Sequence, residues 1–292
     1  MMTTLYIIGN GFDLYHGLHT SYSDFHDFLS CHGEGDLIDK MERYWGHSEL
    51  LQGRCCHTLW SDLEKALGEY NVKYIMDDMF EGHTLDIDHI ASSIGEVDAE
   101  VAENFMPLRE RLNEQFSSWV RSMDFSRISR KSLYGFDPSG LFLVFNYTST
   151  LEKVYGVSSS QVLHIHGDAG NLADELIVGH DKFYKEVPQE DDFYDRTEYQ
   201  HQIASVINGL YKDTAKIINR HQKFFNQLSS IDTIVVYGHS IADVDLPYFQ
   251  EIKKNIQPNA TWHISYHGDS ITDDIKAGVS KLGICNVNYF NM

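Results

Sequence analysis

Near-continuous runs of apolar and β-branched residues punctuate the chain at Leu5 to Ile8, Leu141 to Phe145, Val162 to Ile165, Leu176 to Val178, Thr233 to Tyr237, Thr261 to Tyr266 and Asn286 to Phe290. Runs without polar alternation are the pattern of strands covered on both faces. Between the later runs the apolar positions move to helical spacing. Tyr199 to Leu228 predicts a long helix, and Asp243 to Ile256 sets Leu246, Phe249 and Ile252 on one face behind Asp243 as N-cap. Ser270 to Val279 repeats the device. Strands alternating with helices through the second half predict an α/β fold, a doubly wound, mostly parallel, Rossmann-like sheet.

Residues from about Ser21 to Lys131 break that alternation with charge-rich helical sequence. They read as a helical insertion, 21–131, within one α/β domain spanning 1–292. Trp60, Leu63, Leu67 and Tyr70 would form one buried helix face, and Ser61-Asp-Leu-Glu64 matches a capping box. The acidic run Glu186 to Glu198, with Pro188 and few aliphatics, predicts a surface loop that could serve as a lid.

Composition narrows the partners. Against 23 Lys and Arg stand 43 Asp and Glu, a formal charge of −20. That balance repels a phosphate backbone at long range and argues against nucleic acid as main partner. Cys31, Cys55, Cys56 and Cys285 show no C-x-x-C pairing, so neither a zinc ribbon nor a disulfide framework is indicated. No basic segment followed by an apolar stretch opens the chain, and no run reaches the roughly 18 apolar residues of a membrane helix. A cytoplasmic protein without a membrane partner is expected.

Four of the apolar runs end alike. Leu5-Tyr-Ile-Ile8 stops at Gly9-Asn-Gly-Phe-Asp13, Leu141 to Phe145 at Asn146-Tyr-Thr148, the third at His166-Gly-Asp168, and Ile234 to Tyr237 at Gly238-His-Ser-Ile-Ala-Asp-Val-Asp245. Polar groups at the carboxyl ends of parallel strands converge on one crevice. Gly9 and Gly11 would let the backbone approach a phosphate, although the spacing to Gly17 is not the G-x-G-x-x-G fingerprint and Asn10 and Asp13 add side chains. A tight strand-to-helix turn explains the same glycines. His164 and His166, two apart on a strand, would project from one face. They suit a metal pair, a base with a supporting partner, or two satisfied core histidines. His180 and His239 also adjoin glycines; Asp243 reads equally as cap and ligand contact, whereas Asp245 is harder to explain by capping.

The order Gly9-Asn-Gly-Phe-Asp-Leu-Tyr-His-Gly-Leu-His-Thr20, Trp60-Ser-Asp-Leu-Glu64, Phe145-Asn-Tyr-Thr148, His164-Ile-His-Gly167, Val178-Gly-His180 and Gly238 to Asp245 resembles the bacteriophage abortive-infection AbiH family over nearly the whole chain. That family is in turn similar to the sirtuin-like NAD-binding superfamily. The resemblance implies antiphage defence and a nucleotide ligand. Gly9 and Gly11 would hold phosphates, Asn146 the nicotinamide ribose, His166 would activate a ribose hydroxyl, and Gly238-His239-Ser240 would meet the adenosine ribose. Asn10, Asp13 and Asp245 join this nucleotide-binding set, with His164, His180 and Glu64 in support. Departures are Thr148, where sirtuin-like enzymes usually carry Asp, and the lack of a zinc-binding Cys quartet.

Three functions follow. In the first the protein cleaves the N-glycosidic bond of NAD or a related nucleotide, which is then substrate rather than cofactor. His166 acts as general base and Asn146 orients the ribose, with no metal required. In the second, His164, His166, Asp168, His180, Asp181 and His239 hold metal for a phosphohydrolase or nuclease. The third is a non-catalytic nucleotide sensor reporting to a partner, which Thr148 favours. A phage-derived trigger and a homo-oligomer stay open.

Overall fold

The computed structural model describes residues 4–45, 59–80, 99, 101–185 and 197–292. Cys55, Cys56 and most of the acidic run from Glu186 lie outside the described residues. The chain divides into two compact units, one formed by Met1–Ser21, Ser117–Ile177 and Asp213–Met292, the other by Tyr22–Phe116 and Val178–Lys212.

The first unit holds a six-stranded sheet of β1 (Thr4–Ile8), β2 (Leu141–Val144), β3 (Val162–His164), β4 (Thr233–Tyr237), β5 (Thr261–Tyr266) and β6 (Val287–Asn291). Every pair is parallel and the order is β3-β2-β1-β4-β5-β6. This is the Rossmann order, and its direction of growth reverses between β1 and β4. Alternate residues of each strand serve opposite faces. Leu5 and Ile7 pack with Tyr248, Phe249 and Ile252 of the helix Leu246–Asn255 and with Ile275 and Val279 of the helix Asp273–Leu282. Tyr6 and Ile8 pack the other way, against Phe12, Leu151 and Tyr155. Each fully buried aliphatic side chain contributes about 1.5–3 kcal/mol, which is why the central strands carry almost no polar residue.

Several expected elements change at their ends. Leu176 to Val178 joins no strand among the described residues. Leu176 and Val178 are buried, and a three-residue apolar run reads the same in a covered loop as in a strand. The long helix over Tyr199 to Leu228 breaks into Thr197–Gly209, Thr214–Arg220 and Gln222–Asn226. Gly209 ends the first, and the Asp213 side chain accepts the Lys216 N–H at 3.0 Å to start the second. Asp243 caps nothing; it opens a short 3-10 turn and pairs with Lys281. Thr272 rather than Ser270 caps the helix that follows.

In the second unit the described elements are helices, among them Tyr22–Cys31, Gly35–Trp45, Leu63–Leu67, Val72–Phe80 and Thr197–Gly209. Leu63 and Leu67 are buried on a helix of five residues, and Trp60, also buried, and the half-buried Tyr70 lie outside it, so the expected four-residue helix face does not form. The expected capping box does not form: Asp62 is the N-cap and accepts the Lys65 N–H at 3.3 Å, which puts Lys65 where a box needs Glu or Gln. That placement removes Glu64 from a capping role. No described helix is long and apolar enough to cross a membrane.

Candidate functional site

The turns after β1 and β4 are packed backbone against backbone. The Gly9 N–H donates to the Tyr237 carbonyl at 2.9 Å, the Gly11 N–H to the Gly238 carbonyl at 2.8 Å, and the Phe12 N–H to the Gly9 carbonyl at 2.9 Å. A Cβ at Gly9 would sit 2.6 Å from the Gly238 oxygen, and one at Gly238, whose φ is +61°, 2.2 Å from the Phe12 nitrogen. Glycine is therefore demanded here by the fold itself. The N–H groups of Gly9, Gly11 and Phe12 are already spent on protein carbonyls. Asn10 closes the same segment by donating to the Thr20 carbonyl at 2.7 Å.

Asp13 lies beneath this turn, 1% exposed. Thr148 donates to its Oδ2 at 2.5 Å and Thr150 to its Oδ1 at 2.6 Å. Burial raises its pKa to about 6, outweighing the two hydroxyl bonds and a weaker lowering by the Asn146 amide. Thr148 and Thr150 thus both serve one buried carboxylate. Asn146 is 5% exposed; its amide lies near enough to Asp13 to lower that pKa, yet neither of its polar atoms makes a hydrogen bond of ordinary geometry. A buried polar pair without partners calls for a ligand or water to account for it.

His164 and His166 do not share a face. Strand β3 ends at His164, so the two-residue alternation does not carry into the turn. His164 Nε2 meets Glu152 Oε1 at 2.9 Å and Nδ1 faces the Asn146 carbonyl at 3.3 Å. Burial pulls the His164 pKa down, but the bond and charge of Glu152, helped by Asp168, overcome it and leave the pKa raised. Both ring nitrogens face oxygen acceptors, an environment that favours the protonated ring. Glu152, His164 and Asp168 bring their ligand atoms within 4.8 Å of one another, a spacing a metal ion could use. His166 turns elsewhere. It is 3% exposed, edge-on to Phe145, with Nε2 3.3 Å from the Tyr248 hydroxyl and 3.9 Å from Asp245 Oδ1.

Asp245 occupies the N-cap position of the helix Leu246–Asn255, yet its side chain makes no cap bond. Its Oδ2 instead meets His239 Nε2 at 3.3 Å. His239 Nδ1 accepts the Ile241 N–H at 2.8 Å, which fixes the proton on Nε2 and directs it to Asp245. The connecting residue Ile241 has a φ of 56°. A buried β-branched residue in that region costs about 1–3 kcal/mol, a strain that collects at functional sites.

A cavity of about 300 Å³ opens at the carboxyl ends of β1, β4 and β5, lined by Gly11, Tyr15, Gly238, His239, Ser240 and Ser265 among others. Of the residues singled out from the sequence it gathers Gly11, Gly238, His239 and Ser240; Asn146 and His166 are not in its lining. They stand beyond the ends of β2 and β3, on the other side of β1. His239 joins the two regions, because it lines the cavity and shares Asp245 with His166.

His180 and Glu64 belong to the second unit. His180 is 1% exposed, its Nε2 3.0 Å from the Ile207 carbonyl and its Nδ1 accepting the Lys182 N–H at 3.3 Å. Burial lowers its pKa, so it stays neutral. Glu64 meets the ammonium of Lys212 at 2.7 Å. These contacts give both residues a role within their own unit. Sequence reasoning missed Tyr248, Thr150, Glu152 and Lys212. Only the Thr148-x-Thr150 spacing carried a signal, since hydroxyls two apart can share one carboxylate.

The chain matches the family described as bacteriophage abortive infection AbiH over residues 5–266. It belongs to that family, which carries a phage abortive infection function. Comparison with curated proteins and with solved structures gave no match.

Proposed function

From membership in an abortive-infection family, we propose that the protein binds NAD or a related dinucleotide and hydrolyses its N-glycosidic bond. The observation that carries this reading is the strand order β3-β2-β1-β4-β5-β6. In such sheets a dinucleotide lies across the point where the order reverses. One half of the ligand would occupy the cavity at the ends of β1, β4 and β5, with Ser240 and Ser265 offering hydroxyls to a ribose. The other half would reach the ends of β2 and β3, where the unpartnered amide of Asn146 orients the second ribose and His166 serves as general base. Depleting such a metabolite would arrest an infected cell, the outcome an abortive response requires.

A second reading, metal-dependent phosphohydrolysis, is favoured by the Glu152, His164 and Asp168 arrangement. Incubating the purified protein with NAD, ATP and nucleic acid, with and without chelator, separates them. Nicotinamide released in the presence of chelator supports glycosidic hydrolysis. Phosphate released only with divalent metal supports the second reading, and binding without products supports a sensor.

A further inference from the structure

The segment from Gly238 to Asp245 fixes its own histidine before that histidine touches anything else. The Ile241 N–H is donated to His239 Nδ1 at 2.8 Å, and Ile241 is held at a φ of 56° with its side chain against Gly278. His239 therefore presents a defined N–H, and that N–H faces Asp245 Oδ2 at 3.3 Å. The second oxygen of Asp245 lies 3.9 Å from His166 Nε2, within ion-pair range but beyond hydrogen-bond distance, while His166 Nε2 meets the Tyr248 hydroxyl at 3.3 Å. All three side chains are buried, and the Phe145 ring stands edge-on to both histidines, at 5.5 Å from His166 and 4.4 Å from His239.

We propose that His239 is a positioning residue: anchored by its own backbone turn, it holds Asp245 where the charge of the carboxylate acts on His166. A carboxylate beside a catalytic imidazole stabilises the imidazolium formed when the ring takes up a proton, and at 3.9 Å Asp245 can act on His166 in that way through charge. A histidine is the side chain suited to the post, because it must accept from a backbone N–H on one side and donate to a carboxylate on the other. His239 also lines the cavity, so a ligand that displaces its ring would reach His166 through Asp245. The inference rests on His166 as the base of the proposed reaction.

Two substitutions separate positioning from a merely structural role. His239→Asn keeps an acceptor near Nδ1 for the Ile241 N–H but falls short of Asp245, whereas His239→Gln reaches Asp245 with an amide N–H. Turnover of NAD and the ring ¹⁵N resonances of His166 are measured for both, with thermal melts to confirm folding. The expected result is that His239→Asn melts like the parent but loses about 10- to 100-fold in kcat, a fall larger than any change in KM, as for partners that hold a functional histidine in place. Its His166 resonances should shift, while His239→Gln restores them and recovers most of kcat. If His239→Asn leaves kcat and the His166 resonances unchanged, or if His239→Gln is the more damaged of two folded variants, the proposal is overturned. Should the parent protein turn over no nucleotide, the proposed reaction fails, and the resonances alone decide whether His239 acts on His166 through Asp245.

Discussion

Asp13 and Asp245 are both buried carboxylates a few residues beyond a strand of the same sheet, yet they are held on different terms. Asp13 receives a threonine hydroxyl on each oxygen, and its neighbours Gly9, Gly11 and Gly238 are explained by backbone packing. Asp245 sits where a helix cap would use it, makes no cap bond, and faces two histidines across a strained Ile241. The first cluster is what the reversal of the sheet needs in order to close. The second contains more chemistry and more strain than closure requires. Strand-end motifs that look alike in sequence thus divide into a set explained by packing and a set on which the proposed reaction rests.

The contrast breaks most directly at Gly238. Gly238→Ala combines a Cβ 2.2 Å from the Phe12 nitrogen with a positive φ, so it should destabilise the protein by about 2–6 kcal/mol, overpacking and backbone strain together. Chemical denaturation measures it. A loss under about 1 kcal/mol, the size of an ordinary surface change, would show that the turn is not packed as described.

Asp13 offers a pH signature. Its folded-state pKa is raised to about 6 from 3.8, so the native protein takes up this proton before the unfolded chain does. Its ionisation costs stability at pH 7, and that cost is relieved as pH falls through 6 towards 4. The shift is equivalent to about 3 kcal/mol. Asp13→Asn lacks this relief, so the stability difference between parent and variant should move in the parent's favour by about that amount between pH 7 and pH 4. A difference that stays flat across this range contradicts the burial argument.

Asn146 gives the smallest expected change in stability. Its amide atoms make no hydrogen bond of ordinary geometry, so Asn146→Ala should cost about 1 kcal/mol while turnover falls at least about tenfold. A large stability loss with turnover intact would move Asn146 into the set explained by packing.

Much of the fold was legible because strands buried on both faces need near-continuous apolar runs, and Leu5 to Ile8 and Thr233 to Tyr237 have no other use for theirs. Leu176 to Val178 misled because three buried residues do not distinguish strand from loop. The break at Gly209 was visible in residue types, a helix-weakening glycine followed by Asp213 as a cap, but the apolar spacing ran over it. The pairing of His164 with His166 failed because strand alternation holds only inside a strand, and β3 stops at His164. Candidate site residues such as His239 and Asp245 stood out locally. Their partners did not: Tyr248 lies 82 positions from His166, and Thr150 lies 137 from Asp13. Only the folded sheet brings such pairs together.

The central claim is that His166 is the base of a nucleotide-cleaving site and not a core histidine, and His166→Ala assayed for nicotinamide release and nucleotide binding tests it most directly. The account predicts a normally folded protein that binds nucleotide nearly as the parent does and loses about 10²-fold or more in turnover, within the 10² to 10⁴ usual for a general base. Full activity in the folded variant, or joint loss of folding and binding, would contradict it.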